Sequence, residues 1–167
     1  MAGSYLFIVL EIVQNKGSLP LASLETSFED LTPAKELALI QKLKSANLRS
    51  TKQRVALAHL LYRDGDRHLT AEMLYADAKR VDLGVSLATV YNTLNQFLEA
   101  GLLREVIVDS SRSYFDTNIG QHYHFYVEET GDLIDVPANV IEFSQLPDTP
   151  AGYDICDVDV IVRLKQK

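Results

Sequence analysis

The sequence predicts an α+β fold, helical through about residue 100 and strand-rich beyond it. Three observations predict it. Four segments with apolar residues at helical spacing each follow a Thr or Ser able to cap a helix. Two strand-like runs, "LLREVIVD" and "RSYFDT", come next, joined by Asp109-Ser110-Ser111. The last third then carries three more runs rich in β-branched and aromatic residues.

Composition sets the limits. With 47 % hydrophobic and 23 % charged residues over 167 positions, the chain has enough apolar surface for a buried core without disulfides. Cys156 is the single cysteine, so no internal bridge forms, which favours a reducing compartment. The opening "MAGSYLFIVLEIV" is apolar but has no basic lead-in and contains Glu11, and Tyr5–Leu10 is too short to span a bilayer. These features predict a cytoplasmic protein with no membrane association.

Taken in order, residues 1–31 show little periodicity and read as a disordered leader. Thr32-Pro33 then supplies an N-cap and first helical residue for "AKELALIQKLKSA". Thr51 caps "KQRVALAHLLYR", with Val55, Ala58, Leu61 and Tyr62 on one face, and the turn "DGDRH" ends it. Thr70 caps a third helix running to about Val81, followed by a turn at Gly84. Ser86 caps a fourth, "LATVYNTLNQFLEA", closed by Gly101.

The fourth helix carries the first functional signal. Leu87, Val90, Leu94, Phe97 and Leu98 share one face, while Thr89, Asn92 and Gln96 lie opposite with Tyr91 at the flank. An outer face of Thr, Asn and Gln rather than Lys and Glu can hydrogen-bond base edges, although it also suits plain solvent. Helices followed by a hairpin describe a winged helix, whose last helix enters the major groove while the hairpin leans on the backbone. Arg104 and Arg112 in that hairpin are placed to meet phosphates.

Charge is partitioned to match. The net charge of −7 divides into −3 over residues 1–34, +3 over 35–112 and −7 over 113–167. A basic middle and an acidic last third suit a DNA-contacting unit joined to one that stays off DNA. That last third supplies strands "HFYVEE", "DLIDV" and "CDVDVIVRL", with a helical piece "ANVIEFSQ" before the final one. Three strands leave two edges, and pairing two copies through them would remove an association hazard and match a two-fold DNA site.

His122 and His124 sit one residue apart in "GQHYHFYVEETGDLIDV" and so project from the same side of a strand. Such a pair is either half a metal site or an ordinary hydrogen-bonded pair, and the spacing does not choose between them.

The run "SLATVYNTLNQFLEAGLL", with "DRHLTAEMLY" before it and "HYHFYVEETGDLID" after it, resembles the ferric uptake regulator (Fur) family across about residues 38–167. The wording "TVYNTLNQF" and the lack of a cysteine pair resemble most its iron response regulator (Irr) branch. The resemblance implies a homodimer with a winged-helix DNA-binding domain, here 32–117, and a small α/β dimerisation domain, here 118–167. It implies a divalent metal site of His68, Asp116, His122 and His124 at the hinge, suited to Zn²⁺, Fe²⁺, Mn²⁺ or Co²⁺. It implies that the family's second regulatory site is absent, since Gln121, Tyr123, Glu142 and Val158 stand there. The structural zinc site is absent too, with Val127 and Thr130 at its cysteine positions. The branch responds to haem. No Cys-Pro motif occurs; the resemblance alone implies His122 or His124, with Tyr123 between them, as haem ligands, and His59 is expected to be structural.

For DNA, the resemblance places Tyr91 in the major groove of double-stranded operator DNA and Arg49 in the minor groove; the basic residues Lys52, Arg54 and Arg112 are expected on phosphates. Thr89, Asn92 and Gln96 complete the reading face. Asn92 stands where many members have Arg, and Asn pairs with adenine where Arg favours guanine. The expected function is a dimeric transcriptional regulator of iron and haem homeostasis, whose operator affinity is set by metal or haem, rather than an enzyme. Two other readings stay open: a small metalloenzyme on the same three-His, one-Asp site, and a metal-independent DNA-binding module.

Overall fold

The computed structural model describes residues 31–167; the expected leader lies outside the described residues but for its last, Leu31. Four helices begin at the predicted caps: α1 (Pro33–Ser45), α2 (Lys52–Tyr62), α3 (Ala71–Arg80) and α4 (Leu87–Glu99). In each, an extended Thr or Ser accepts a hydrogen bond from the N–H three residues on, satisfying one donor of the first turn. Gly101, at φ 67°, closes α4 by letting the Leu102 N–H turn back to the Phe97 carbonyl at 2.8 Å.

Helix α2 departs from expectation. Its seven consecutive residues Val55–Leu61 are all buried, so it has no single apolar face. It is the central helix, packed by α1, α3 and α4, and the main core gathers around it with Leu57, Leu61, Leu74, Val90, Leu94 and Phe97 fully enclosed. His59 is buried there, in line with its structural reading.

Two three-stranded sheets follow. The first contains a strand the sequence did not announce, β1 (His68–Leu69), in the stretch read as a turn. It pairs antiparallel with β3 (Arg112–Asp116), which pairs in turn with β2 (Arg104–Asp109), giving the order β1-β3-β2. The register sets His68 directly opposite Asp116. The second sheet has β4 (His122–Val127) between antiparallel β5 (Asp132–Pro137) and parallel β6 (Ile161–Leu164).

Two expectations in the last third are corrected. The helix "ANVIEFSQ" is one 3-10 turn, Ala138–Val140, and the strand "CDVDVIVRL" shortens to Ile161–Leu164. Within the first of these segments Val140 and Phe143 remain exposed, so an eight-residue helix has little core to bury its apolar face against.

The sheets meet over a second small core of Val106, Val108, Tyr114, Tyr126 and Leu133, with Ile161 against it. Polar ties join them: Tyr114 Oη donates to the Gly131 carbonyl at 2.7 Å, Arg112 to Tyr126 Oη, and Arg163 to the Val108 carbonyl. Gly131 turns the β4–β5 hairpin at φ 75°, and an added Cβ would lie 3.3 Å from that Tyr114 hydroxyl. Among the described residues no helix is long and apolar enough to cross a membrane.

Candidate metal centre and nucleic-acid interface

The four expected metal ligands come together. Asp116, with no side-chain exposure, aims Oδ2 at three imidazoles: His122 Nε2 at 3.0 Å, His124 Nε2 at 3.5 Å and His68 Nε2 at 3.6 Å. His68 and Asp116 arrive from β1 and β3 of the first sheet, His122 and His124 from β4 of the second. Strand alternation puts both β4 histidines on one side, and the β1–β3 register brings the other two residues level with them.

A fifth donor was missed by sequence reasoning. Asp135 lies directly across β4–β5 from His124, with Oδ1 at 2.9 Å from His68 Nε2 and 3.6 Å from His122 Nε2. Ligand atoms of His68, His122, His124 and Asp135 all lie within 4.8 Å of one another. The signal was present: in a tight "VEETGDLID" hairpin, the acid of "LID" must pair near the second histidine.

Neighbouring groups hold the ligand atoms in place. Asn118 donates its backbone N–H to Asp116 Oδ1 at 2.8 Å and its side-chain amide to Asp135 Oδ2 at 2.9 Å, leaving one free oxygen on each carboxylate turned inward. His122 Nδ1 sits 2.8 Å from the Gly120 carbonyl, an acceptor only, so the proton is on Nδ1 and the Nε2 lone pair faces the centre.

These contacts fit an ion better than they fit each other. His68 Nε2, Asp116 Oδ2 and Asp135 Oδ1 are buried and close, yet none makes an aligned hydrogen bond. His122 Nε2 and His124 Nε2 face one another at 3.0 Å, where at most one proton fits. Donors bonded to one ion at about 2.1 Å lie about 3.0–3.4 Å apart, close to the spacing seen here. Three imidazoles and two carboxylates are borderline-to-hard donors, suited to Zn²⁺, Fe²⁺ or Mn²⁺.

Without an ion, charge must balance another way. Burial works to lower the His68 pKa, but close pairing with Asp116 and Asp135 outweighs it and lifts the imidazolium to about 9. Burial likewise works to raise Asp116, but His124, His68 and the Asn118 N–H hold its carboxyl far below the usual range. Asp135 is depressed too, with His68 and Asn118 overcoming burial. A proton on His68 substitutes for part of a metal's charge.

The expected haem ligands are these same His122 and His124, whose Nε2 atoms already engage each other and Asp116. Tyr123 points the other way and packs edge-on against Phe143, with ring centroids 5.9 Å apart.

The expected DNA contacts fall into two sets. On α4, Tyr91 and Asn92 are exposed, and Thr89 and Gln96 half-buried. Arg49 and Lys52 flank the start of α2 and are exposed. Several polar groups of this set are engaged within the protein. Tyr91 Oη donates to Glu72 Oε1 of α3 at 2.5 Å, and Thr89 Oγ1 lies 2.9 Å from Ser86 Oγ. Arg54 donates to Gln96 Oε1 and, at 2.9 Å, to the Arg49 carbonyl. The wing arginines turn toward the second sheet, Arg112 to Tyr126 and Arg104 to Asp159 at 2.6 Å.

Comparison with known proteins agrees with this architecture. Residues 45–162 match the Ferric uptake regulator family. The peroxide-responsive repressor PerR of Staphylococcus epidermidis is 32 % identical over 117 residues, covering 70 % of this chain and 77 % of that protein. The Vibrio cholerae ferric uptake regulator has the same fold at a TM-score of 0.58 and 24 % identity, covering 76 % of this chain and 98 % of that one. The Pseudomonas aeruginosa ferric uptake regulator, solved with manganese, superposes at 0.55 with 26 % identity over 76 % of this chain and 96 % of that one. The fold is therefore a winged helix followed by a C-terminal α/β domain. The chain belongs to the Ferric uptake regulator family of metal-responsive transcriptional regulators.

Proposed function

We propose that this regulator is a homodimeric cytoplasmic repressor of the iron response regulator branch, whose grip on operator DNA is set by a divalent ion held by His68, Asp116, His122, His124 and Asp135. The observation that carries it is the origin of the donors: two come from the first sheet and three from the second, which we assign to a winged-helix part, 32–117, and a dimerisation part, 118–167. An ion completing its shell there stabilises one arrangement of the two parts over others, so ligation becomes a conformational lever. The ion supplies positive charge to a buried cluster that holds two carboxylates; the protein supplies orientation, through Asn118 and the Gly120 carbonyl.

Iron and haem as the signal follow from the branch resemblance. Haem ligation by His122 or His124 would have to displace their contacts with Asp116, so haem and the divalent ion compete. A peroxide-responsive repressor is the second reading, favoured by the 32 % identity to the Staphylococcus epidermidis protein of that name. A metalloenzyme is disfavoured, because five protein donors leave little room for a substrate position.

The test is a gel-shift selection from random duplexes at fixed salt with ion-free, Mn²⁺, Fe²⁺ and haem-loaded protein, plus elemental analysis. One ion per subunit with ion-dependent enrichment of a two-fold sequence supports the proposal. Equal enrichment by the ion-free protein and a His68→Ala/His124→Ala variant would leave the metal-independent module. Release of the Fe²⁺ form by peroxide, with no response to haem, would favour the second reading.

A further inference from the structure

We infer that two charged side chains outside the recognition helix, Glu72 of α3 and Arg54 of α2, fix the hydrogen-bond polarity of its reading face, so that Tyr91 can only accept from a base and Gln96 turns its amide protons outward to donate. The inference rests on the DNA-binding reading above and concerns which bases are read.

The chemistry of the partners forces both assignments. An ionised carboxylate has no proton to give, so in the 2.5 Å contact between Tyr91 Oη and Glu72 Oε1 the tyrosine must be the donor. Its hydroxyl has one proton, already committed, and presents only lone pairs outward. Pairing with Tyr91 also keeps the Glu72 carboxyl below its ordinary range, so it is ionised at neutral pH. Arginine has five N–H groups and no acceptor, so the Gln96 atom it meets must be the carbonyl oxygen, however the amide is drawn. The Gln96 amide nitrogen then faces outward with its two protons. Arg54 is itself anchored by the Arg49 carbonyl at 2.9 Å.

This arrangement explains an otherwise awkward residue. A carboxylate beside a DNA-reading helix repels phosphates and weakens binding unless it does something else. Here it spends its charge on orienting Tyr91. In the major groove an acceptor-only group meets the exocyclic amino of adenine or cytosine, and outward amide protons meet guanine O6 or N7, thymine O4 or adenine N7. Tyr91 is therefore assigned to an amino-bearing base and Gln96, five residues further along α4, to an acceptor-bearing one.

The experiment uses the full chain in its operator-binding metal form and a duplex selected by the wild type. Each adenine is replaced in turn by purine, and each cytosine by pyrimidin-2-one, removing only the amino group. We expect one position per half-site where that removal weakens wild-type binding about tenfold. Tyr91→Phe and Glu72→Ala should each shrink this penalty to within about twofold, with unfolding temperature and metal content unchanged. A tenfold penalty retained in Glu72→Ala, or no amino-dependent position altered by Tyr91→Phe, overturns the Tyr91 half. Arg54→Ala should change the preferred base at the Gln96 position. If it instead weakens all duplexes equally and lowers the salt slope by about one, Arg54 is a phosphate contact and that half is overturned. Failure of the wild type to enrich any duplex would instead sink the DNA-binding reading beneath, which separates the two failures.

Discussion

The metal centre and the reading face of α4 are both clusters of polar side chains, but they are finished to different degrees. At the centre, buried atoms of His68, Asp116 and Asp135 crowd together without aligned hydrogen bonds. On α4, Tyr91 and Gln96 are exposed or half-exposed and already have well-defined partners in Glu72 and Arg54. A buried set of misaligned donors is costly unless something enters it, whereas a solvated, partnered set costs little and is ready to use. On the proposed reading, the first would be a sensor whose free energy changes on ligation and the second a preset reader.

The largest effect should come from the most buried ligand. Asp116→Asn keeps the shape but removes the charge that faces three imidazoles, and we expect metal affinity to fall at least 100-fold in a chelator competition. Retained affinity would mean the cluster is a hydrogen-bonded core feature like any other. Asp135→Asn should cost less, roughly 10-fold, because that side chain is 35 % exposed and water can replace it.

The unfinished state of the centre also predicts a pH signature for ion-free protein. His68 is raised to about 9 in the folded state, so its contribution is complete below about 6.5 and is lost as pH rises through 9. Asp116 and Asp135 are depressed, so theirs is present above about 4 and fades as pH falls. Thermal unfolding in chelator should therefore peak between about pH 4 and 6.5 and decline as pH rises from about 6.5 through 9, by on the order of 2 kcal/mol for the His68 part. Saturating Mn²⁺ should abolish the alkaline decline; an identical profile with and without the ion would contradict the shared site.

The smallest effect belongs to the reader's periphery. Lys52→Ala should weaken binding to all duplexes uniformly and reduce the salt slope by about one, with no change in base preference. A change in preference would move Lys52 from backbone contact to reader.

The two regions were also unequally legible in the sequence. Helix α4 was accessible because its cues are local: Ser86 caps it, Gly101 closes it, and the apolar positions Val90, Leu94 and Phe97 lie at helical spacing. The centre was half-legible. His122 and His124 announced themselves by spacing, and His68 and Asp116 were reached through the family resemblance. Strand β1 and Asp135 were hidden because they depend on pairings: His68 meets Asp116 across 48 positions, and a two-residue strand leaves no periodic trace. The partners Glu72 and Arg54 were hidden for the same reason, since helices α2, α3 and α4 must pack before either reaches α4. The failed helix after β5 is the converse case, a pattern with adequate local propensity that found no surface to cover.

The most direct test of the account is operator affinity measured by anisotropy at one fixed salt concentration, with and without saturating Mn²⁺, for wild type and Asp116→Asn. The account predicts that the ion shifts wild-type affinity at least tenfold and shifts that of the variant by less than twofold. Equal shifts in both proteins, or none in the wild type, would contradict it.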